Sequence, residues 1–293
     1  MSLWTRDNQN FEQPCIITCA LSGVVANRSQ CPAIPYTPEE YAADAKRAYE
    51  AGASIVHIHA RTPDGKPSYN VEDYQNIHDA ITAASPIVTN FSTGAINIST
   101  EMKTDPVTTV KPSIGALNMG SMNYAKYHQQ KMDFVFEFVF PNPFSEIIKI
   151  VKAMNEVGVK PEMECFDVGH VGNSFPLIDM GLLEPPYQYS LILGVLGGLP
   201  PTVPNLVRMV EQLPPQSEWE LIGISRHQWR LAAAAIALGG NIRVGLEDNF
   251  YVSDGVMAKS NGDLVEKAAR MVRDQGREVA TVEQTRERLK LAL

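Results

Sequence analysis

Short hydrophobic runs alternate with helix-like stretches along most of the chain. Nine runs have the length and apolar content of β-strands, at residues 16–21, 54–61, 86–91, 115–120, 134–140, 160–166, 189–195, 219–224 and 242–246. Helix-like stretches lie between or after them, at 38–51, 71–84, 143–157, 174–181, 203–213, 226–238, 264–275 and 282–291. Strands and helices that alternate in series form a parallel sheet. Eight such units in one chain predict a closed (β/α)8 barrel, the TIM barrel, rather than an open doubly wound sheet.

The run at 134–140 does not fit this series. No helix-length apolar stripe separates it from the run at 115–120, so we interpret it as an extra strand or hairpin on the barrel. No G-x-G-x-x-G follows the first run, which argues against a dinucleotide-binding fold. Because no linker, repeat or low-complexity tract interrupts the pattern, residues 1–293 are expected to form a single barrel domain. The polar segment 1–14 is expected to be irregular.

The first helix carries a start signal with a known mechanism. Thr37 is placed as an N-cap, Pro38 occupies the first turn, and Glu40 completes a capping box. Gly52 provides the corresponding stop.

Composition and charge exclude several classes of function. Hydrophobic residues make up 44% and charged residues 20% of the 293, as in ordinary globular proteins. Lys and Arg number 25 against 33 Asp and Glu, and the net charge of −8 argues against a nucleic-acid partner or a polybasic membrane surface. Four cysteines without a C-x-x-C pair, no signal peptide and no apolar run of about 18 residues predict a cytoplasmic protein with reduced thiols.

Candidate chemistry is concentrated in the last strand-like run, Asn241 to Asn249. Arg243, Gly245 and Glu247 share one face of an extended chain, and the opposite face is apolar. In a barrel strand the polar face points inward, where a buried Arg and Glu need partners or a metal. Asp248 is expected at the carboxyl end of the strand, where barrel enzymes keep their catalytic residues. The alternative is a purely structural Arg–Glu pair.

His57 and His59 are separated by one residue on the second predicted strand, so both imidazoles point to the same side. Two imidazoles directed into a barrel near the end of a strand suit a divalent metal, most simply zinc. A catalytic zinc takes three protein ligands and keeps one position open. Glu247 is our choice for the third ligand, with Glu164 and Asp167 as competitors.

The other histidines fit this interpretation less well. His78, His128 and His227 fall on helices or loops, where a solvated or structural role is expected. His170, in a loop after a strand, remains a candidate.

Ser92, Thr93 and Gly94 end the third predicted strand with two hydroxyls and a glycine. Such a strand end offers hydroxyl and backbone N–H donors to a carboxylate or carbonyl oxygen. An ordinary strand-to-loop turn is the alternative.

Several segments together resemble the β-keto acid cleavage enzymes. They are 51–61 (AGASIVHIHAR), 92–94 (STG), 160–169 (KPEMECFDVG), 242–249 (IRVGLEDN) and 260–265 (SNGDLV). The resemblance extends from the first predicted strand to the C-terminus. It implies a zinc-dependent (β/α)8 barrel that assembles as a homo-oligomer, a dimer or tetramer. The implied reaction converts a β-keto acid and acetyl-CoA into acetoacetate and a new acyl-CoA.

The resemblance also implies roles for individual residues. The zinc ligands are His57, His59 and Glu247, and the catalytic pair is Arg243 and Asp248, with Asp248 as the base. For substrate binding the resemblance implies Ser92 and Glu164, and Thr93, Gly94 and Asn118 complete our candidate substrate-binding residues.

Two departures from the family bear on the substrate. Members that act on 3-keto-5-aminohexanoate have Thr-Gly-Ala-Glu at the end of the first strand, where this chain has Ser-Gly-Val-Val and ends in Val25. Their Thr before Leu-Asn on the fourth strand is Ala116 here. Both changes argue against that substrate. Arg28, in the first loop, is a candidate anchor for a second carboxylate, with a solvated side chain as the alternative.

Two other functions fit the same residues. A zinc hydrolase or metal-dependent aldolase could use this barrel without CoA. A non-catalytic barrel that binds a small acid as a sensor or carrier is the third possibility.

Overall fold

The computed structural model describes residues 11–291. Its strands are β1 (Ile17–Ala20), β2 (Ile55–Ile58), β3 (Val88–Phe91), β4 (Ile114–Asn118), β5 (Met122–His128), β6 (Asp133–Phe140), β7 (Lys160–Cys165), β8 (Tyr187–Leu193), β9 (Ser217–Gly223), β10 (Asn241–Val244), β11 (Tyr251–Ser253) and β12 (Val256–Met257). Its helices are α1 (Pro38–Ala51), α2 (Val71–Ala84), α3 (Thr100–Val110), α4 (Phe144–Val157), α5 (Val168–Gly172), α6 (Ser174–Asp179), α7 (Val203–Gln212), α8 (Gln228–Ala237), α9 (Asn261–Asp274) and α10 (Val282–Leu289). A short 3-10 helix, Ser225–His227, precedes α8.

Eight parallel strands close into a barrel in the order β1-β10-β9-β8-β7-β4-β3-β2. Helices connect successive barrel strands, so the predicted (β/α)8 barrel is confirmed. The ninth apolar run is β6, which pairs antiparallel with β5 outside the barrel, and this confirms the extra hairpin. Of the segment expected to be irregular, residues 1–10 lie outside the described range.

Two helices have no counterpart in the pattern of the sequence. The buried side of α3 consists of Lys103, Thr104, Pro106 and Val107, so no apolar stripe marks it. The short helix α5 begins directly after β7, where the sequence predicted a loop, and the Asp167 side chain caps it by accepting a hydrogen bond from the Gly169 N–H at 3.0 Å. Helix α3 has no apolar stripe and α5 has only five residues, so neither produces the periodic pattern by which a helix is predicted from sequence.

The barrel interior changes from apolar to polar along its axis. At the amino-terminal end, Ile16, Ile55, Val88 and Ile114 pack with Leu289 of α10, which covers this end of the barrel. One layer further up, the Glu220 carboxylate accepts hydrogen bonds from Thr18 at 2.6 Å and Ser190 at 3.0 Å. Polar side chains therefore enter the barrel interior directly above the apolar layer at its amino-terminal end.

None of the helices within residues 11–291 has the length and apolar character needed to cross a membrane.

Candidate active site

The guanidinium of Arg243, in the middle of β10, binds three carboxylates. It donates to Asp248 through Nε at 2.9 Å and Nη2 at 3.0 Å, and to Glu247 through Nη2 at 2.6 Å. Its Nη1 lies 3.4 Å from Oε1 of Glu164 on β7. Only 3% of Arg243 is exposed, so the charge needs these partners.

Burial shifts the proton affinities of Asp248 and Glu164 upward. It raises the pKa of Asp248 to about 6, against the opposing effect of Arg243. It raises the pKa of Glu164 to about 7, with Arg243 opposing and the charges of Glu247 and Asp248 adding to the shift. Carboxyl groups with such values can exchange protons near neutral pH.

A turn after β10, rather than continued strand, delivers Glu247 to the site. The strand ends at Val244, and Gly245 adopts φ +144°, so the predicted alternation stops one residue beyond the strand. A side chain at Gly245 would collide with the Ala20 carbonyl. The Glu247 N–H donates to that same carbonyl at 3.2 Å, which fixes the turn against β1.

His57, His59 and Glu247 meet at the carboxyl end of β2. Nε2 of His59 lies 3.6 Å from Oε1 of Glu247, and Nε2 of His57 lies 3.9 Å from Oε2. Burial, with Arg243 adding to it, lowers the pKa of His59 to about 3 and that of His57 well below its usual value. Both imidazoles are therefore neutral, the form that binds metals.

This trio has the properties of a metal site. One potential ligand atom from each residue lies within 4.8 Å of the others. Nε2 of His57 and Oε2 of Glu247 are buried and have no hydrogen-bond partner among residues 11–291. Two neutral imidazoles and one carboxylate at a partly open strand end match the ligands of catalytic zinc.

A second group, His57 with Glu162 and Glu164, has similar spacing but suits a metal less well. Burial raises the pKa of Glu162 well above its usual value, and its Oε2 accepts a hydrogen bond from Gln188 at 2.7 Å. A protonated carboxyl is a poor metal ligand. The trio with Glu247 is therefore the better candidate.

The loop after β1 covers Glu247. Gly23 adopts φ +55°, and a Cβ there would lie 2.6 Å from Cγ of Glu247. The buried Arg61 holds this loop by donating to the carbonyls of Gly23 at 2.8 Å and Ala26 at 2.6 Å. No sequence pattern marks Arg61 for this role, because its partners are backbone carbonyls, which every residue type possesses.

Asn261, the first residue of α9, links the end of β1 to the turn after β10 at the site. Its side chain accepts from the Leu246 N–H at 2.8 Å and donates to the Leu21 carbonyl at 2.9 Å. It also donates to the buried Asp44. The residue before Glu247 is thereby fixed to the end of β1. The only sequence signal for this role was the resemblance of residues 260–265.

The polar end of β3 lies next to β4. The Ser92 hydroxyl accepts from the Gly94 N–H at 3.1 Å, so its own proton is available to a ligand. The Asn118 side chain makes no hydrogen bond with any described residue. A Cβ on Gly94 would lie 3.3 Å from the Asn118 amide, so the glycine keeps this space open. Thr93 is different, because its hydroxyl donates to the Ala116 carbonyl at 2.6 Å.

Other candidates from the sequence have structural partners. Asp167 caps α5, and Nδ1 of His170 accepts from the Phe166 N–H at 3.3 Å. Arg28 is paired with Glu40 and lies over the ring of Tyr36, so its guanidinium is already engaged.

Tyr124 of the β5–β6 hairpin is a residue near the site that sequence analysis missed. Its ring stacks on Phe138 at 5.1 Å, and its hydroxyl has no hydrogen-bond partner among residues 11–291. Burial raises the pKa of Tyr124 to about 12, and the charges of Glu247, Asp248 and Glu164 add to the shift. The hairpin therefore places a protonated phenol within electrostatic range of these carboxylates.

An apolar wall, formed by Phe166, Ile192, Ile222 and Ile224, lies at the same end of the barrel. It extends from β7 to β9 and packs with Tyr124 and Phe138. The candidate metal ligands and the carboxylates thus lie on one side of the barrel mouth, and apolar side chains lie on the other.

A family model described as beta-keto acid cleavage enzyme matches residues 14–291. The chain belongs to the β-keto acid cleavage enzyme family. The family resemblance inferred from the sequence is thereby confirmed, and the chain is an acyl-transferring enzyme that cleaves carbon–carbon bonds.

Two characterised relatives cover nearly the whole chain. The 3-keto-5-aminohexanoate cleavage enzyme of Fusobacterium nucleatum subsp. nucleatum is 36% identical over 277 residues, which are 94% of this chain and 97% of the relative. The 3,5-dioxohexanoate:acetyl-CoA acetone transferase of Paraburkholderia graminis is 31% identical over 295 residues, with 94% and 95% covered. The names of these two family members specify different keto acids.

The barrel also resembles solved structures. The apo structure of ObcA superposes with a TM-score of 0.75 at 19% identity. The match covers 89% of this chain and 66% of the ObcA chain. At this level of identity the likeness supports the (β/α)8 fold alone.

Proposed function

We propose that the chain is a zinc-dependent β-keto acid cleavage enzyme. It condenses a β-keto acid with acetyl-CoA and cleaves the adduct into acetoacetate and a new acyl-CoA. The observation that carries this proposal is that Arg243 donates hydrogen bonds both to Asp248 and to Glu247, and Glu247 is one of the trio with His57 and His59. A base and a metal site lie together at the carboxyl ends of the barrel strands, where barrel enzymes bind substrates.

His57, His59 and Glu247 are proposed to hold the metal ion. When bound, zinc would supply Lewis acidity toward the keto oxygen of the substrate. The two imidazoles are kept neutral by burial, and the Gly23 loop limits the movement of Glu247.

Ser92 and Asn118 are proposed to bind the carboxylate of the keto acid. The Ser92 hydroxyl and the Asn118 amide have donors that no described residue uses, and Gly94 leaves room between them. Hydroxyl and amide donors are suitable for a carboxylate. In this arrangement Thr93 supports β4 and does not contact the substrate.

Asp248 is proposed to remove the proton from the carbon between the keto and carboxylate groups. Arg243 holds its carboxylate through two hydrogen bonds, which fixes its orientation. A pKa of about 6 makes Asp248 a stronger base than an ordinary aspartate, while it stays largely ionised at neutral pH. Glu164, which shares Arg243, is proposed to contribute to substrate binding from the opposite side.

The resulting carbanion attacks the thioester carbon of acetyl-CoA, a carbon–carbon bond forms, and CoA leaves as the thiolate. The thiolate then attacks the original keto carbon. The bond between that carbon and its neighbour breaks, which releases the new acyl-CoA and the carbanion of acetoacetate. Asp248 returns its proton to this carbanion, so the enzyme ends in its starting protonation state.

The tail of the substrate is proposed to lack an ammonium group. Val25, in the first loop, is 62% exposed and offers no countercharge. Arg28 is engaged by Glu40, which makes it a poor anchor for a second carboxylate. The cytoplasmic location and the homo-oligomeric state remain predictions from the sequence.

The test is turnover of a panel of β-keto acids with uncharged, ammonium and carboxylate tails, with and without acetyl-CoA, using zinc-loaded enzyme. We expect acetoacetate only when acetyl-CoA is present, with the uncharged tail converted fastest. Zinc-dependent consumption of the keto acid without acetyl-CoA would instead support the hydrolase or aldolase. Binding without turnover would support the sensor or carrier.

A further inference from the structure

A small group of basic side chains lies on the barrel rim beside the candidate active site. Arg226 and His227 belong to the 3-10 helix that follows β9, and Arg230 lies in the first turn of α8. The Ser225 N–H donates to the Asp248 carbonyl at 2.7 Å. This hydrogen bond joins the backbone of the group, which we call the cationic rim, to the proposed base.

The backbone at the start of the cationic rim is held in an uncommon conformation. Ser225 adopts φ +59°, the left-handed region that residues other than glycine seldom enter. The hydrogen bond to Asp248 accompanies this conformation. Such strain is found where the surrounding structure fixes a segment firmly, so Arg226 and His227 have a defined position relative to Asp248.

The cationic rim has no acidic partner. Both arginines are exposed, and no carboxylate among residues 11–291 lies within ion-pairing distance of either. The only hydrogen bond of the Arg226 side chain to a described residue reaches Nε2 of His227, at 3.5 Å. Burial lowers the pKa of His227, and the charges of Arg226 and Arg230 add to the shift, so His227 is neutral and the charge of the rim belongs to the two arginines.

The two rim arginines pair with no described carboxylate, although acidic side chains outnumber basic ones in the chain. The chain carries 33 carboxylate side chains and 25 Lys and Arg, and other arginines near loops, such as Arg28 and Arg288, are paired with a glutamate. Like charges that are close together repel, and an anion bound between them removes the repulsion. The rim therefore has the charge expected of an anion site.

The path from the rim to Asp248 is apolar on one side. Ile224 belongs to the apolar wall, is only partly buried and precedes Arg226 by two positions. A ligand with its reacting group at Asp248 and its anionic end at Arg226 would lie along this side chain. Acetyl-CoA has this form, because a largely uncharged arm separates the thioester from the phosphates.

We propose that Arg226 and Arg230 bind the phosphates of acetyl-CoA, with the pantetheine arm against Ile224. This assignment rests on the proposed function, which requires the thioester at Asp248. Guanidinium groups bind phosphates through paired, charge-assisted hydrogen bonds. The bound phosphates would replace the carboxylate partners that the rim lacks.

The experiment compares two thioesters that differ in their phosphates, acetyl-CoA and S-acetyl-pantetheine, which has none. For Arg226→Ala and Arg230→Ala we expect the KM for acetyl-CoA to rise about tenfold each, the size of one lost charge-assisted hydrogen bond. The KM for S-acetyl-pantetheine and for the β-keto acid should not change. Arg226→Lys should recover part of the loss. Arg270→Ala is the matched control, because Arg270 is also exposed but lies on a different helix, α9. This variant should behave as wild type.

Three results would overturn the assignment. Equal effects on both thioesters would show that the arginines do not contact phosphates. A raised KM for the keto acid alone would place the substrate carboxylate at the rim. Unchanged KM values in folded variants would show that the rim binds neither.

Adenosine 3′,5′-bisphosphate provides a second test on the wild-type enzyme, which does not depend on the variants folding. We expect inhibition that is competitive with acetyl-CoA and that weakens as KCl is added, because salt screens exposed charges. Absence of inhibition in an enzyme that turns over acetyl-CoA would refute the rim site alone. Absence of both turnover and CoA binding in the wild type would refute the proposed function itself.

Discussion

Arg243 and Asp248 form a two-point hydrogen bond, with Nε to Oδ2 at 2.9 Å and Nη2 to Oδ1 at 3.0 Å. Both residues are buried, and they are separated by only five positions along the chain. The pair exists because β10 ends at Val244 and the following turn folds back over the barrel. It sets the orientation of Asp248, and the surrounding burial sets its proton affinity.

Asp248→Asn should abolish most turnover without loss of the metal. The amide keeps the size of the side chain but cannot accept a proton, and general-base catalysis commonly contributes about 10²–10⁴-fold in rate. Acetoacetate formation and zinc content, measured on the same preparation, check this. Turnover at the wild-type rate would exclude Asp248 as the base and would fit a non-catalytic role for the pair.

Glu247→Gln should weaken zinc binding by at least about tenfold, because an amide oxygen is a weaker zinc ligand than a carboxylate. The measurement is zinc retention against a competing chelator. Glu162→Gln serves as a control for the alternative group of ligands and should retain the metal. Asp167→Asn, at the cap of α5, should also retain it. Loss of zinc in Glu162→Gln but not in Glu247→Gln would show that the metal binds to the group of His57, Glu162 and Glu164 instead.

Gly23→Ala should impair the metal site through a steric clash with Glu247. A Cβ at this position would lie 2.6 Å from Cγ of Glu247, and φ is +55°. Gly276→Ala is the matched control, because its φ is +79° but no heavy atom lies within 4 Å. Both variants should lose about 1–2 kcal/mol of unfolding free energy from the left-handed backbone. Only Gly23→Ala should also lose zinc affinity and turnover, and equal zinc affinity in the two variants would contradict this.

Lys160→Met should change how stability depends on pH. Burial lowers the pKa of Lys160 from 10.5 to about 8, and Lys290 adds to the shift. Between pH 8 and 10.5 the unfolded chain therefore binds more protons at this residue than the folded chain does. The contribution of Lys160 to stability consequently rises with pH across this window and is unfavourable below it.

Urea unfolding at pH 7 and pH 10 checks this. Lys160→Met should be more stable than wild type at pH 7, and the difference should shrink at pH 10. Lys149→Met, at an exposed position on α4, is the control and should show no such pH dependence. A constant difference between wild type and Lys160→Met would show that Lys160 titrates alike in both states.

Local patterns in the sequence determined the architecture. Alternating apolar runs and helix-like stretches were enough for the (β/α)8 barrel, because period and length depend on near neighbours. The start of α1 shows this at single residues: the Thr37 side chain accepts from the Glu40 N–H, and the Glu40 side chain accepts from the Thr37 N–H, as the capping box predicts. His57 and His59 face the same side because a strand repeats every two residues.

The tertiary structure alone decided what surrounds these residues. Glu164 and Asp167 were equal competitors by sequence, but one is bound by Arg243 and the other caps α5. Tyr124 reaches the site from a hairpin, and Asn261 joins Leu246 to Leu21 across most of the chain.

The physical reason is the distance along the chain between contacting groups. A strand or helix is specified by side chains a few positions apart, so its pattern is visible in sequence. The Asn261–Leu21 hydrogen bond joins residues 240 positions apart, and the Arg61–Ala26 hydrogen bond ends on a backbone carbonyl that every residue type possesses. Such contacts form only when the barrel closes. Only then do candidate residues from distant parts of the chain come together as one site.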